Sequence, residues 1–344
     1  MKIISTLLLI LAMLFSGCKK DATSNETKNK QDGETTKVGL ALGYGGIGDQ
    51  SFNDMQYNGL IEASRLFKID IAYRVPEKDD EASMINILRE LADKEKCQVI
   101  ITSGYLMVTP VNVVSKEFPS IHFVLLDDKA EMLPNVTSVL YAQNEGSFVV
   151  GALAAKMSKT KKIGFIGGVD IPVIQSFLTG FKAGVKYADP TVKISVEFCS
   201  VLPDFSGFSD PDKGYGIAKK MYIQEADIIY SVAGGTGNGI IQCAKDHGEF
   251  VIGVDSDQDH LAKGYVLTSM MKRLDKTVID ICSRFISNKL PGAEVLIYNY
   301  KNGGISISEM KYTKDKIPSD TLKYIEDIQK KITSGDIKVA NTFQ

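Results

Sequence analysis

Two glycine-rich segments are the clearest candidates in the sequence for contact with a phosphate or another polar ligand. The first, Gly43-Tyr44-Gly45-Gly46-Ile47-Gly48, follows the apolar run 38–42 and matches the G-x-G-x-x-G pattern of dinucleotide-binding loops. The acidic residue that such a site requires should close a second strand about 20 positions later, whereas Asp70 lies inside the run 69–74. A nicotinamide- or flavin-dependent oxidoreductase is therefore kept only as a distant alternative.

The second segment, Gly234-Gly235-Thr236-Gly237-Asn238-Gly239, follows a β-branched run and opens a helical pattern. It lacks the Lys-Ser/Thr pair of a phosphate-binding P-loop, so nucleoside triphosphate hydrolysis is not indicated. Glycines at the start of a helix allow close backbone approach and leave N–H donors free for a polar ligand. Gly235 is accordingly a candidate for ligand contact.

Two aspartates end equivalent strands in the two halves of the chain. Asp127 closes the run 123–127 and Asp255 closes the run 251–255. Ligands of open α/β sheets bind beyond the carboxyl ends of the strands. If the halves form two lobes that face each other, both carboxylates lie at a shared cleft.

No set of residues in the sequence predicts catalysis or metal binding. No Ser-His-Asp set, catalytic carboxylate pair or Cys-His pair can be assembled, and the three histidines form no ligand cluster. The cysteines after position 18 have no CxxC spacing, and we interpret them as small buried hydrophobic residues: Cys97, Cys199, Cys243 and Cys282. We therefore expect no catalytic residues, no metal and no cofactor.

The elements that would position these residues alternate between short β-branched runs and longer segments with helical period, which predicts α/β lobes with parallel sheets. In the first half, the pattern predicts strands at 38–42, 69–74, 99–102 and 122–126 and helices at 54–67, 81–94 and 110–118. In the second half, it predicts strands at 162–166, 193–201, 228–232 and 250–254 and helices at 171–187, 212–224 and 237–247.

The first 37 residues predict export and attachment to a membrane. Residues 1–17 have the charged head, apolar run and small residues of a signal peptide. Ser16-Gly17-Cys18 resembles a bacterial lipobox, which predicts a lipidated Cys18 facing the periplasm or the cell exterior, although Phe15 stands where leucine is usual. The alternative is a signal peptide cleaved with Cys18 incidental. Residues 18–37 are polar and predict a flexible tether.

The charge balance argues against a nucleic-acid partner. The 344-residue chain carries 40 Lys and Arg against 42 Asp and Glu, with the lysines spread along its length. Nucleic-acid-binding domains usually concentrate basic residues on one face.

Six segments resemble the basic membrane protein family of ABC-transporter solute-binding lipoproteins, which includes purine nucleoside receptors. The segments are Asp49–Asn53, Ala142–Phe148, Gly207–Pro211, Val232–Gly239, Ile252–Gln258 and Leu267–Arg273. The resemblance implies a two-lobed type I periplasmic-binding-protein fold with a hinge, a small-molecule ligand, and partnership with an ABC permease and its ATPase subunits.

The resemblance also implies ligand-binding roles for particular residues. Phe52 and Phe208 stand where two phenylalanines sandwich the heterocycle, and facing rings suit a flat π-system. Asp255 and Lys272, near Gly235, match positions that bind sugar hydroxyls, and we expect Lys272 to neutralise Asp255. The remaining matched positions are Asn53 and Asp127, which line the base side, and Asp49.

One position departs from the pattern of the nucleoside receptors. They carry an aspartate just after the first strand, and this sequence has Gly43 there. The glycine removes a hydrogen-bond acceptor and leaves room for a wider ring, so riboflavin is slightly favoured and a purine nucleoside is the alternative. A surface adhesin with the same fold is a more distant possibility.

Four chain segments beyond the fourth strands complete the predicted domains. A strand at 266–270, a helix at 275–288 and an edge strand at 295–298 are expected to cross back to the first lobe. The predicted first lobe is therefore 38–141 plus about 268–315, and the second is 142–267 plus about 316–344 with a helix at 319–334.

Overall fold

A computed structural model describes residues 35–342 of the chain, which form two α/β lobes. The predicted signal peptide at 1–17, Cys18 and the tether up to residue 34 lie outside the described residues. Among residues 35–342, no helix has the length and the apolar character needed to cross a membrane.

The first lobe begins with alternating strands and helices close to the predicted bounds. β3 shows why the chain folds this way: all five residues of Val99–Ser103 are buried, as expected for a parallel strand covered on both faces. The elements are β1 (Lys37–Ala41), α1 (Phe52–Phe67), β2 (Asp70–Arg74), α2 (Glu81–Arg89, continued by a π-helical turn at Glu90–Lys94), β3, α3 (Val108–Glu117), β4 (His122–Leu126) and β5 (Val136–Tyr141).

The second lobe repeats this alternation after an additional helix. Its first two helices pack closely because Gly184 leaves no side chain against the backbone of Phe148, whose oxygen would lie 1.9 Å from a Cβ at position 184. The elements are α4 (Gln143–Met157), β6 (Lys162–Val169), α5 (Pro172–Ala188), β7 (Lys193–Ser200), α6 (Pro211–Ile223), β8 (Ile228–Val232), α7 (Gly237–His247), β9 (Phe250–Asp255) and β10 (Val266–Lys272).

The last segments of the chain contribute to both lobes. They are α8 (Leu274–Ile286), β11 (Glu294–Tyr298), β12 (Ile305–Ile307) and α9 (Ser319–Ser334). α8 packs against α1 of the first lobe, and α9 packs against α4 of the second.

The two sheets have the same strand order. The first runs β11-β5-β4-β3-β1-β2 and the second runs β12-β10-β9-β8-β6-β7. All neighbouring strands are parallel except β12, which is antiparallel to β10. The prediction of a duplicated, two-lobed α/β fold is confirmed, and each sheet has six strands among the described residues.

The path of the chain between the lobes differs from the prediction at one strand. β10 pairs in parallel with β9 in the second sheet, and β12 pairs with β10. The strand expected to cross back at 266–270 therefore stays in the second lobe, as does β12, whereas α8 and β11 do belong with the first. Apolar periodicity identified β10 as a strand but carries no information about which sheet edge it joins.

Three connections join the lobes and form the hinge. They lie between β5 and α4, between β10 and α8, and between β11 and β12. The carboxyl ends of the parallel strands in each sheet face the other lobe, so the loops that follow these strands meet in the cleft.

Candidate ligand-binding cleft

A cavity of about 430 Å³ lies between the lobes and is lined by loops from both. Its wall includes all eight residues predicted to bind the ligand: Asp49, Phe52, Asn53, Asp127, Phe208, Gly235, Asp255 and Lys272. The first four come from the first lobe and the other four from the second. The structure thus brings the predicted set together at one site.

Asp49 is used to cap α1. Its carboxylate accepts hydrogen bonds from the backbone N–H groups of Ser51 (2.9 Å), Asn53 (2.8 Å) and Asp54 (3.1 Å). The negative charge also suits the positive end of the helix. In a dinucleotide-binding protein this helix end would hold the pyrophosphate. Because the chain's own carboxylate fills that position, the geometry does not favour the oxidoreductase alternative.

Lys272 and Asp127 form a buried ion pair between the lobes. Lys272 Nζ lies 2.7 Å from both carboxylate oxygens of Asp127, and their side chains are 1% and 8% exposed. Lys272 ends β10, and Asp127 follows β4. Burial raises the pKa of Asp127, and the lysine charge opposes this shift. Lys272 therefore pairs with Asp127, whereas we expect from the sequence that it neutralises Asp255, which ends the neighbouring strand β9. Its ammonium reaches across the cleft to the first-lobe carboxylate and acts on Asp255 only through its charge.

Three aromatic rings surround the Lys272 ammonium. The group lies 4.8 Å from the ring centroid of Phe177, 5.4 Å from that of Tyr141 and 5.8 Å from that of Phe52. Cation–π attraction supports an ammonium that is withdrawn from water. The ion pair and the rings of Phe52 and Phe177 line the cavity, and Tyr141 supports the ammonium from outside the wall.

Asp255 makes a second contact between the lobes. Its carboxylate accepts a hydrogen bond from Ser51 Oγ at 2.7 Å. Burial raises the pKa of Asp255 to about 6, helped by the nearby carboxylates of Asp127 and Asp49, while Lys272 opposes the rise. At neutral pH the charged carboxylate is therefore a strong hydrogen-bond acceptor at the cavity surface.

The two strand-end aspartates share an unusual backbone conformation. Asp127 and Asp255 both have φ of 65°, in the left-handed region that aspartate tolerates better than most residues. The turn that this conformation makes at the end of each strand directs both side chains into the cleft. The equivalence of the two positions supports their prediction as a matched pair.

Further contacts join the lobes around the loop 49–51. Gln50 O accepts hydrogen bonds from Ser256 Oγ (2.5 Å) and Gln258 Nε2 (3.2 Å), and Asn238 Nδ2 donates to Asp49 O (3.3 Å). A Cβ at Gly235 would lie 3.7 Å from Asp49 Cβ, so this glycine is where the loop approaches the second lobe. These contacts hold the two lobes together beside the cavity.

An aromatic pair that the sequence did not reveal covers the mouth of the cleft. Tyr105, after β3, stacks on Phe205, after β7, with ring centroids 6.0 Å apart and planes 22° apart. Apolar side chains from the start of α5 and the residue before it line another wall: Ile171, Val173, Ile174 and Phe177. The sequence signal for these wall residues was their position after the ends of strands. Apolar residues at such positions, however, resemble ordinary core residues.

The ring of Phe208 lies directly against the backbone of β6 at Gly168. A Cβ at Gly168 would lie 2.3 Å from both Cδ1 and Cε1 of the Phe208 ring. Any side chain at this position therefore displaces the ring. The absence of a side chain at Gly168 is what allows Phe208 to occupy its present place in the cavity wall.

We expect Gly168→Ala to weaken ligand binding about 10-fold or more, because overpacking of this kind costs about 1–3 kcal/mol and moves Phe208. Gly216→Ala is the matched control, since a Cβ at that α6 position meets nothing within 4 Å. Calorimetric titration of both variants measures the difference. Affinity of Gly168→Ala within twofold of wild type would show that the position of Phe208 is unimportant.

These features define a two-lobed solute-binding protein. Residues 36–342 match the model of a protein family described as "ABC transporter substrate-binding protein PnrA-like". The chain belongs to this family, which the basic-membrane-protein resemblance had indicated. Its class is that of the substrate-binding components of ABC transporters.

Similar proteins cover nearly the whole chain. The CD4+ T-cell-stimulating antigen of Listeria innocua is 33% identical over 339 residues, 92% of each chain. The ABC transporter nucleoside-binding protein BmpA of Lactococcus lactis is 30% identical over 345 residues, covering 93% of this chain and 95% of its own. A solved ABC transporter solute-binding protein of Aeropyrum pernix is 25% identical with a TM-score of 0.76, covering 89% and 93%.

Proposed function

We propose that the protein captures a nucleoside between its lobes for an ABC importer, without chemical change to the ligand. The observation that carries this proposal is the convergence of Phe52, Phe208, Asp255 and Lys272 on one cavity between the lobes. Rings favour a flat heterocycle, and the Asp255 carboxylate is an acceptor for the hydroxyls of a sugar. The name of the Lactococcus relative, a nucleoside-binding protein, supports this ligand class.

Riboflavin is the second candidate ligand, favoured by one observation. Gly43 lines the cavity without a side chain, which leaves room for a wider ring system. The ribityl arm of riboflavin would offer Asp255 hydroxyl donors, as a ribose does. The slight preference for riboflavin that the sequence suggested is nevertheless not kept, because none of the relatives described above carries a riboflavin-binding name.

The protein would act on the outer side of a membrane. We propose that Cys18 carries the lipid anchor and that the closed protein delivers its ligand to a permease powered by ATPase subunits. More than one acyl chain on one residue gives stable attachment. Release of the Cys18→Ser protein into the culture medium would support the anchor, and retention on the membrane would oppose it.

The experiment that tests the ligand begins with the protein purified from its host. Mass spectrometry identifies any bound molecule, and titration with inosine, guanosine, adenosine and riboflavin measures affinity and thermal stabilisation. A nucleoside with submicromolar affinity supports the proposal. A yellow preparation that binds only riboflavin would replace it with the second candidate, and turnover of the ligand would contradict capture without chemistry.

Phe208→Ala should weaken binding of the nucleoside about 30-fold or more, since truncation of a central aromatic contact costs about 2 kcal/mol or more. Tyr187→Ala is the control because Tyr187 lies outside the cavity wall and is half exposed. Isothermal titration compares the two variants with wild type. Equal affinities for Phe208→Ala and wild type would remove the ring from the binding site.

A further inference from the structure

Gly43 lies where three adjacent strands end at the cavity. In the first sheet, β1 lies between β2 and β3. The segments that follow or end these strands bring Gly43, Asp79 and Ser103 to the cavity wall. Asp79 and Ser103 thus belong to the segments on either side of the one that carries Gly43.

Ser103 carries a buried hydroxyl without a partner. The residue is 5% exposed, and its Oγ has no hydrogen-bond partner among residues 35–342. Ser103 is the last residue of β3, and its backbone is paired in register with Leu126 of β4. A buried polar group left unpaired is unfavourable. Since Ser103 belongs to the cavity wall, a bound ligand is a group that can satisfy this hydroxyl.

Asp79 supplies a carboxylate that no cation neutralises. It lies at the rim of the same cavity, between β2 and α2, and no hydrogen bond or ion pair to its side chain occurs in the described part of the chain. Asp79 is exposed at this rim, and its partial desolvation, followed by the acidic neighbours Asp204 and Asp80, raises its pKa. Such a carboxylate is suited to accept a hydrogen bond from a ligand N–H.

The fold itself does not require glycine at position 43. A Cβ there would lie 3.5 Å from Asn53 Oδ1, an ordinary contact, and Gly43 is absent from the residues with positive φ. A larger residue could therefore occupy the position. Glycine instead changes the chemistry of the cavity, because it offers no side-chain hydrogen-bond acceptor. The polar edge of the ligand's ring must then bind other residues.

We propose that Ser103 and Asp79 bind the hydrogen-bonding edge of the ligand's ring, in place of a carboxylate at position 43. This inference rests on the proposed function. The carboxylate of Asp79 accepts only, whereas the Ser103 hydroxyl both donates and accepts. Together they fit an edge that carries an N–H beside a carbonyl group, as in a lactam or an imide.

Paired ligands that differ only at this edge test the inference. Inosine carries the N–H and the carbonyl group. Purine riboside has the same ribose but lacks both groups. If the protein binds flavins, riboflavin and N3-methylriboflavin are compared for Asp79→Asn alone, because the methylated flavin keeps both carbonyl groups that Ser103 could contact. We expect Asp79→Asn and Ser103→Ala each to weaken binding of the N–H ligand about 10-fold and to change binding of its partner less than threefold.

Two neighbouring residues provide matched controls. Asp80→Asn removes the adjacent charge, and its side chain caps α2 by accepting from Ser83 N, a role that asparagine keeps. Ser115→Ala removes another buried, unpartnered hydroxyl that lies outside the cavity wall. Both should leave affinities for the two ligands unchanged.

The outcomes separate the inference from the proposed function. Equal losses for both ligands of a pair, or no loss for either, would overturn the assignment of Ser103 and Asp79 while leaving nucleoside or flavin capture intact. Failure of the wild-type protein to bind any ligand of either pair would overturn the proposed function and, with it, this inference.

Discussion

Lys272→Met should reduce affinity for the nucleoside more than 100-fold. Methionine keeps most of the side-chain volume but removes the ammonium, so closure of the lobes would bury the Asp127 carboxylate without its partner. Removal of one member of a buried ion pair costs about 3–5 kcal/mol, and each 1.4 kcal/mol corresponds to about a tenfold change in affinity. Titration calorimetry at neutral pH measures the change.

The double variant Asp127→Asn/Lys272→Met identifies the cause of this loss. If the unpaired carboxylate is responsible, its conversion to a neutral amide should restore much of the affinity lost in the single variant. Lys182→Met, at an exposed position on α5, should change affinity less than twofold. A double variant as weak as the single one would instead indicate that Lys272 contacts the ligand directly.

A 5′-phosphate on the nucleoside should weaken binding at least about 100-fold. Among residues 35–342, the cavity wall carries one basic residue, Lys272, and it is already paired. The acidic residues that this part of the chain brings to the wall number four: Asp49, Asp79, Asp127 and Asp255. Enclosing the phosphate dianion among these carboxylates without a free cation would cost binding free energy, since a buried charge needs an opposite charge nearby.

The start of α7 is the part of the wall best suited to an anion, and it faces Asp49. Glycine backbone groups there could bind a phosphate, but the first-lobe carboxylate lies close to Gly235 and Asn238 donates to its backbone oxygen. Titration with inosine, inosine 5′-monophosphate and the neutral 5′-O-methyl ether separates charge from size. Comparable affinities for inosine and its monophosphate would contradict the prediction.

If the monophosphate is excluded, capture must follow removal of the phosphate. A phosphomonoester hydrolysis outside the cell would then supply the ligand from nucleotides. The same requirement would apply to flavin mononucleotide if riboflavin proves to be the ligand.

The sequence predicted the fold well because its signals are local. Short buried strands such as β3 alternate with helices, and Asp127 and Asp255 end equivalent strands at a similar spacing in both halves. The lobe to which β10 belongs could not be predicted, because strand pairing depends on which sheet edge is free. Periodicity alone is the same for either edge.

Contacts between the lobes were the least predictable part of the site. Residues at the cavity could be located from the family resemblance, but the pairing of Lys272 with Asp127 depends on how far the lobes close. The stack of Tyr105 on Phe205 joins residues 100 positions apart in opposite lobes. No local pattern specifies such a distance, and aromatic residues at these positions are equally consistent with a core.

That stack gives the protein a natural place for an optical signal. The chain has no tryptophan, and Tyr105 is 47% exposed where it meets Phe205 of the other lobe. Replacement of Tyr105 by tryptophan would introduce a single indole whose fluorescence depends on whether the mouth is shut. Occupancy of the cavity could then be read from emission alone, without a dye or a labelled ligand.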